Sequence, residues 1–153
     1  CQKIVKILTK KKLTIAFAES CTGGMVSSAI TDIKGSSKVF TFGLIVYSNK
    51  SKINVLKIPK NIIKKYGTVS AQVCLDMVKS ISKIAKTNVS LSVTGIAGPD
   101  GGTKKKPVGL VYLGIKKGNK IRIKKYFFKK KGRAYIRKET VNKSLRLILR
   151  TLK

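Results

Sequence analysis

The sequence predicts an α/β fold, in the form of a single-domain α/β/α sandwich with a mixed sheet. Segments with helical periodicity alternate with short segments rich in strand-forming residues along the chain. Such mixing indicates a sheet that is parallel in part. The 153 residues suit one domain with its own core, and 42% of them are hydrophobic, as in globular proteins. We therefore assign residues 1–153 to one predicted domain.

The first part of the chain contains two predicted helices and two predicted strands. Residues 2–9 carry apolar side chains at helical spacing and predict a short amphipathic helix. Residues 13–18 (LTIAFA) form an apolar run that predicts a buried strand. Residues 25–33 predict a second helix, and the alternating, β-rich residues 38–47 predict a second strand.

Two more helices are predicted from the residues at their ends. Pro59 and Gly67 bracket a short helix, because proline is favoured near a helix start and glycine just past its end. Ser70 is suited to cap the next helix, since its hydroxyl can accept from a free backbone N–H. The apolar residues of that helix recur at helical spacing: Val73, Cys74, Met77, Val78, Ile81 and Ile84.

The last part of the chain predicts three strands and a long helix. Residues 89–94 predict another buried strand. Residues 108–115 and 121–128 predict a hairpin around the Lys-Gly-Asn turn at 117–119. A final helix begins at about Ala134, and its predicted buried residues are Val141, Leu145, Ile148, Leu149 and Leu152.

The absence of His restricts the chemistry that this chain can perform. The chain has 35 Lys and Arg residues, 5 Asp and Glu residues and no His. A Ser-His-Asp triad, a Cys-His pair, a His-ligated zinc and a His general base are therefore excluded. Acid–base chemistry must use Lys, Tyr, Cys or one of the five carboxylates.

The formal net charge of +30 is spread along the chain and comes mostly from Lys. Proteins that read nucleic-acid sequence favour Arg, whose planar fork fits phosphates and guanine. We therefore expect nucleic acid to bind only non-specifically and in a salt-sensitive way. No apolar run reaches the roughly 18–20 residues of a membrane span, so no membrane partner is expected. The sequence leaves self-association into a homo-oligomer open.

The cysteines indicate a reducing environment. Cys1, Cys21 and Cys74 are odd in number and form no CxxC pair, which argues against a disulfide framework or a zinc knuckle. A cytoplasmic location is therefore expected. Cys74 falls in an apolar helical pattern and is interpreted as a small buried hydrophobic residue.

Two glycine-containing segments follow predicted strands. Residues 19–24 (ESCTGG) lead into a helix, whose N-terminus and backbone N–H groups favour a phosphate or an oxyanion. Ser20 stands where a strand-to-helix turn can expose a nucleophile, but Ser20 or Thr22 could instead simply cap the helix. Residues 95–102 (GIAGPDGG) are either a ligand-binding loop at the carboxyl end of a strand or a plain connection.

Two further segments offer proton carriers and phosphate-binding groups. Residues 47–52 (YSNKSK) contain Tyr, Ser and Lys, and Ser–Lys pairs replace the triad in some hydrolases. A Lys becomes a base when desolvation and cationic neighbours lower its pKa, whereas an ordinary Lys is a solvated surface charge. Arg133 and Arg137 lie four residues apart on one helix face, where they either bind a phosphate or form a basic surface.

Taken together, these segments resemble the CinA C-terminal domain family, the nicotinamide-nucleotide amidases. The match spans nearly the whole chain, and its first and fourth motifs are long and specific. The motifs occur in the family's order: AESCTGG (18–24), YSN (47–49) with Lys52, YGTVS (66–70), VTGIAGPDGG (93–102), KPVG (106–109) and the segment from Gly132 to Arg137.

The resemblance implies an α/β/α sandwich that hydrolyses nicotinamide mononucleotide to nicotinate mononucleotide and ammonia, without a metal or a cofactor. It implies Ser20 as the nucleophile, Lys52 as the general base and Tyr47 as its proton-sharing partner. Backbone N–H groups near residues 21–24 would stabilise the oxyanion. The implied substrate-binding residues are Cys21, Thr22, Gly23, Gly24, Thr94, Gly95, Ala97, Gly98 and Arg137, the last as a phosphate contact.

The net charge of +30 supports a second hypothesis. In this alternative the chain is a non-enzymatic nucleotide- or nucleic-acid-binding module, which the family resemblance links to competence or DNA damage. The alternative predicts binding that survives moderate salt and depends on Arg133, Arg137 and the Lys run at 104–106.

Overall fold

The computed structural model describes residues 1–129 and 131–153 and confirms the predicted α/β fold. Its strands are β1 (Ile15–Glu19), β2 (Phe40–Ile45), β3 (Val89–Gly95), β4 (Leu110–Lys117) and β5 (Lys120–Phe127). Its α-helices are α1 (Gln2–Lys10), α2 (Met25–Thr31), α3 (Asn49–Asn54), α4 (Lys60–Tyr66), α5 (Ala71–Ala85) and α6 (Arg133–Leu152).

The strands form one mixed sheet in the order β2-β1-β3-β4-β5. β1 lies in the parallel half, between β2 and β3, and its last residue Glu19 is opposite Ile45 and Val93. β3 pairs with β4, and β4 with β5, in antiparallel register. The carboxyl ends of the three parallel strands therefore meet at one end of the sheet, which is where ligands bind in open α/β sheets. β2 and β5 are the edge strands.

Helices cover both faces of the sheet because side chains of a buried strand alternate between the two faces. In β1, Ile15 and Phe17 pack with residues of α1, α2 and α6, whereas Ala16 and Ala18 pack with residues of α4 and α5. All four are fully buried. Glu19 continues the first series, so its carboxylate lies on the side of α2.

Several sequence predictions are confirmed in detail. The Ser70 hydroxyl caps α5 by accepting from the Val73 N–H at 3.2 Å. Cys74 is fully buried, as predicted. In α6, Val141, Ile148 and Leu152 are buried as predicted, whereas Leu145 and Leu149 are only partly buried. Within the described residues, no helix combines the length and the apolar character that a membrane crossing requires.

The region around β2 differs from its prediction. The predicted strand at 38–47 is too long, because Ser36–Lys38 form a 3₁₀ turn and β2 ends at Ile45. Helix α3 was not predicted. It begins at a reciprocal cap, in which Ser48 and Ser51 each accept from the other's backbone N–H. This short helix places Lys52 beneath the end of β1.

Candidate functional site

Ser20 lies at the carboxyl end of the parallel half of the sheet, directly after β1. Its backbone N–H donates to the Val93 carbonyl on β3 at 3.0 Å and so extends the β1–β3 pairing by one residue. The chain then turns towards α2 through Gly23 and Gly24, whose φ angles are 58° and 95°. These positive φ values favour glycine. The turn places the Ser20 hydroxyl beside the neighbouring helix α3.

Lys52 on α3 is the partner of that hydroxyl. Its Nζ lies 2.9 Å from Ser20 Oγ and donates to the Val46 carbonyl at 2.8 Å. The side chain is 0% exposed. Burial lowers the pKa of Lys52 from its usual value near 10.5 to about 8. A substantial fraction of this amine is therefore neutral near pH 8 and can accept a proton from a serine hydroxyl.

Tyr47 approaches Lys52 through its main chain. Its carbonyl oxygen lies 3.5 Å from Lys52 Nζ, whereas its hydroxyl accepts from Arg133 Nη2 at 2.6 Å. The Tyr47 side chain is 56% exposed. The structure thus brings the predicted nucleophile Ser20 and the predicted base Lys52 together. The phenol of Tyr47, the third predicted catalytic residue, is hydrogen-bonded to Arg133 and not to either of them.

Glu19 holds the turn that carries Ser20. Its carboxylate is 1% exposed and accepts from the N–H groups of Gly24, Val26 and Ser27 and from the Ser27 hydroxyl, at 2.7–3.1 Å. This carboxylate therefore satisfies the free donors at the start of α2. The alternative in which Ser20 or Thr22 caps this helix is wrong, since neither hydroxyl accepts from the α2 backbone.

The capped helix leaves few backbone donors for an oxyanion. The Gly23 N–H donates to the Ser20 carbonyl, and the Gly24 N–H donates to Glu19. Among the described residues, the N–H groups of Cys21 and Thr22 have no acceptor. The N–H that follows a nucleophile is a common oxyanion donor, so Cys21 and Thr22 are the donors available here.

Arg137 on α6 fixes the same turn from the other side. Its Nε donates to the Cys21 carbonyl at 3.1 Å and its Nη2 to the Thr22 carbonyl at 2.9 Å. Thr22 is fully buried, and its hydroxyl has no hydrogen-bond partner in the part of the chain that the structure describes. The guanidinium of Arg137 thus positions the turn, and two of its nitrogens are already bonded.

A cavity of about 220 Å³ opens beside the turn. Arg133 spans its rim, because its Nη1 donates to the Gly98 carbonyl at 3.0 Å while its Nη2 bonds Tyr47. Cys21 is one of the lining residues, and burial raises the pKa of its thiol to about 12, so the thiol stays protonated. The cavity is lined by Cys21, Tyr47, Gly95, Ile96, Ala97, Gly98, Asp100, Gly101 and Arg133.

Two of the predicted glycines are required by close packing. A Cβ on Gly95 would lie 2.6 Å from Val111 Cγ2 and 3.1 Å from Cys21 Sγ. A Cβ on Gly98, whose φ is 77°, would lie 2.7 Å from Val108 Cγ1. Thr94 is fully buried and its hydroxyl donates to the Thr68 carbonyl at 3.1 Å, which ties the end of β3 to the segment before α5.

The predicted substrate-binding residues divide into two groups. Cys21, Gly95, Ala97 and Gly98 line the cavity. The other five do not line the cavity: Thr22, Gly23 and Gly24 form the turn after Ser20, Arg137 bonds to that turn, and Thr94 bonds to Thr68. Arg133 and Asp100 line the cavity but were not among the selected residues. The four-residue spacing of Arg133 and Arg137 was the one signal for Arg133. No cluster of three or more Cys, Asp or Glu side chains suited to a metal is found among the described residues.

Comparison with protein families and curated sequences gives a consistent match. Residues 1–152 match the family described as CinA C-terminal domain. A competence-damage inducible protein of Thermoanaerobacter pseudethanolicus is 45% identical over 149 residues, which cover 97% of this chain and 36% of that protein. A CinA-like protein of Kosmotoga olearia is 50% identical over 122 residues, covering 80% of this chain and 30% of that protein. The chain thus spans about a third of the length of these curated relatives.

Solved structures show the same fold. The competence/damage inducible protein CihA from Agrobacterium tumefaciens superposes with a TM-score of 0.94 at 37% identity, covering 98% of this chain and 91% of that chain. A competence-damaged protein (CinA) superfamily protein from Enterobacter cloacae superposes with a TM-score of 0.94 at 28% identity, covering 99% and 89%.

Proposed function

We propose that this chain, which belongs to the CinA C-terminal domain family, hydrolyses the carboxamide of nicotinamide mononucleotide to nicotinate mononucleotide and ammonia. One observation carries the proposal. A fully buried Lys52 amine with a lowered pKa lies 2.9 Å from the hydroxyl of Ser20, which is itself at the carboxyl end of the parallel strands. A nucleophile and a base within hydrogen-bond reach are the requirement for acyl transfer.

The first half of the reaction forms an acyl-enzyme. Ser20 Oγ attacks the carboxamide carbon while its proton passes to neutral Lys52 Nζ. The negative charge that develops on the carboxamide oxygen is stabilised by the free N–H groups of Cys21 and Thr22. The C–N bond then breaks, and Lys52 returns the proton so that the nitrogen leaves as ammonia.

The second half restores the enzyme. Water attacks the nicotinoyl ester on Ser20, and Lys52 accepts the proton of that water. The bond to Ser20 Oγ breaks, and the serine recovers its proton from Lys52. The Val46 carbonyl accepts from Nζ at 2.8 Å and anchors this amine, so the same group is available for both half-reactions.

The cavity supports a ring-sized carboxamide with a phosphorylated tail. Its volume of about 220 Å³ accommodates the pyridine ring with its carboxamide. We assign the phosphate to Arg133, because its guanidinium lies on the rim, whereas two nitrogens of Arg137 are bonded to main-chain carbonyls. Arg133 would exchange its bond with Tyr47 for a bidentate contact with phosphate. Tyr47 would then be free to share a proton with the site.

Ammonia release from nicotinamide mononucleotide tests the proposal. The unaltered protein should release ammonia, and Ser20→Ala and Lys52→Met should each lower kcat by at least about a thousandfold. Ser28→Ala and Lys50→Met are the matched controls, since both side chains are exposed, Ser28 on α2 and Lys50 on α3 beside Lys52. A folded protein that releases no ammonia, or a Ser20→Ala variant that remains active, would overturn the assignment.

The same measurement separates the non-enzymatic alternative. A nucleotide-binding module would bind the mononucleotide without turnover, and Ser20→Ala would leave its affinity unchanged. Calorimetric titration of the unaltered protein and of Ser20→Ala, beside the ammonia assay, distinguishes the two functions.

A further inference from the structure

A basic groove runs along the edge of the sheet on the side of α6. It is formed by Arg122 and Lys124 on β5 and by Lys143, Arg146 and Arg150 on α6, with Tyr126 in its floor; these six residues are called the β5–α6 groove below. Its cavity of about 230 Å³ shares Arg122 and Arg150 with a neighbouring cavity of about 840 Å³ at the β4–β5 turn. The two cavities therefore lie next to each other.

The sequence pattern explains why these charges converge. Arg122, Lys124 and Tyr126 alternate along β5, so they share one face of this edge strand. Lys143, Arg146 and Arg150 follow each other at three- and four-residue spacing, so they share one face of α6. Tyr126 packs on the core beside α6, which brings the two faces together.

The groove concentrates the arginines of a chain whose positive charge is otherwise mostly Lys. The chain has five arginines, and Arg133 and Arg137 belong to the candidate active site. The other three all line the groove. In the part of the chain that the structure describes, none of these three guanidinium groups donates to a protein acceptor, and no Asp or Glu side chain lines either cavity. Their donors are therefore available to an external anion.

The groove also contains an aromatic surface. The ring of Tyr126 stacks on Phe128 with centroids 6.0 Å apart, and Lys143 Nζ lies 5.8 Å from the centre of the Tyr126 ring. Grooves that bind single-stranded nucleic acid combine basic side chains along the phosphate backbone with aromatic rings on which bases stack. The eight residues of β5 extend over about 26 Å, which suits a short stretch of nucleotides.

We propose that the β5–α6 groove binds single-stranded nucleic acid through its phosphates, and that Lys143 moves from the Tyr126 ring to a phosphate so that one base can stack there. The groove is separate from the candidate active site. The β4–β5 turn lies beside Val89 at the start of β3, whereas Ser20 is bonded to Val93 near its end. The cavities at the two places share no lining residue. Binding here therefore does not depend on the amidase activity, and it differs from the earlier hypothesis in not using Arg133 or Arg137.

The test compares two triple variants, each of which removes three positive charges. The first is Arg122→Ala/Arg146→Ala/Arg150→Ala, in the groove. The second is Lys3→Ala/Lys6→Ala/Lys10→Ala, which removes three exposed charges from α1. The probe is a labelled oligothymidylate of about 12 nucleotides, and its affinity is measured by fluorescence anisotropy at several salt concentrations. Circular dichroism and thermal unfolding verify that both variants are folded.

We expect the groove variant to weaken binding at least about thirtyfold and to lower the slope of log K against log salt by about 2, since each phosphate contact contributes about 0.7. The α1 variant should weaken binding less than about threefold. Tyr126→Leu, which keeps an apolar side chain on the core, should weaken it at least about fivefold through lost stacking.

Four results would overturn the proposal. Equal weakening by both triple variants would show diffuse attraction to a positive protein. Tighter binding to a duplex of the same length, or equal displacement by polyglutamate, would show that the groove does not select single-stranded nucleic acid. An unaltered protein that does not bind the probe at about 0.1 M salt would exclude the site altogether.

Discussion

Arg133 on α6 and Tyr47 after β2 are joined by a hydrogen bond of 2.6 Å from the guanidinium to the phenol oxygen. The same guanidinium donates to the Gly98 carbonyl at 3.0 Å. One side chain thus connects three segments that are far apart in the sequence and closes one side of the cavity beside Ser20. Arg137, one helical turn later, has no part in this rim and holds the turn after Ser20 instead.

The two arginines should therefore affect different kinetic constants. Arg133→Lys should raise the KM for nicotinamide mononucleotide about tenfold and change kcat by less than about threefold, because Lys cannot form a bidentate phosphate contact. Arg137→Lys should lower kcat about tenfold with little change in KM, because the turn that carries Ser20 and the oxyanion donors is loosened. Steady-state kinetics of the pair measure this. Equal effects on KM would contradict the assignment of the phosphate to Arg133.

The rate should depend on the protonation of Lys52. Burial lowers the pKa of Lys52 to about 8, and only the neutral amine can accept the proton of Ser20. We expect kcat/KM to rise about tenfold per pH unit below this value and to level off above it. A profile from about pH 6 to 9 measures this, and Lys50→Met should show the same profile. A rate that is independent of pH over this range would exclude Lys52 as the base.

Lys52 should also make the folded protein less stable than it could be. The unfolded chain binds a proton on Lys52 more tightly than the folded chain, because the folded pKa is lowered to about 8. Below pH 8 the buried, protonated amine therefore lowers the free energy of unfolding. This loss of stability disappears as the pH rises from about 8 towards 10.5.

Lys52→Met should accordingly raise the free energy of unfolding by about 1–2 kcal/mol at pH 7. Removal of the desolvated charge outweighs the loss of the hydrogen bond to the Val46 carbonyl. Urea denaturation at pH 7 and pH 9.5 measures the difference, which should shrink at the higher pH. Lys50→Met, exposed on the same helix, should change stability by less than about 0.5 kcal/mol. If Lys52→Met instead lowered the free energy of unfolding, burial of the Lys52 amine would not be destabilising.

Glu19 should be needed for stability and activity together. Its carboxylate accepts four hydrogen bonds at the start of α2, and Gln at this position turns one acceptor into a donor that faces backbone N–H groups. Glu19→Gln should lower the free energy of unfolding by about 2–3 kcal/mol and reduce ammonia release. Thermal unfolding and the ammonia assay measure the two effects. Glu139→Gln, on α6, is the control, and an equal loss in that variant would argue against a special role for Glu19.

The fold could be predicted from the sequence because its main elements have strong local signals. β1 has a run of four apolar residues, β3 alternates Val and Leu with Ser and Thr, and α5 combines a Ser70 cap with apolar residues at helical spacing. α3 has no such signal, since its sequence NKSKIN contains a single apolar residue. It forms because Ser48 and Ser51 cap its start, a pattern that is weak on its own.

The pairing of Ser20 with Lys52 in the candidate site was predicted from the family's motifs, and only Ser20 had a physical signal, its place at a strand-to-helix turn. Nothing in the residues next to Lys52 distinguishes it from the other lysines, because its burial results from the packing of α3 beneath β1. The choice between Arg133 and Arg137 was equally beyond local sequence. Both lie on one face of α6, and which of them meets the Cys21 and Thr22 carbonyls depends on how α6 packs against α2.

The open edge of β2 gives the net charge of +30 a role in keeping copies of this chain apart in solution. Phe42 and Ile45 on this strand are 37% and 59% exposed, and an edge strand with apolar side chains invites pairing between molecules. Two copies that each carry a formal charge of +30 repel one another. This repulsion reaches about 30 Å at 0.01 M salt but only about 8 Å at 0.15 M. We therefore expect the protein to self-associate more readily as the ionic strength rises. Polyanions that neutralise the lysines would likewise allow the exposed β2 edges of two molecules to meet.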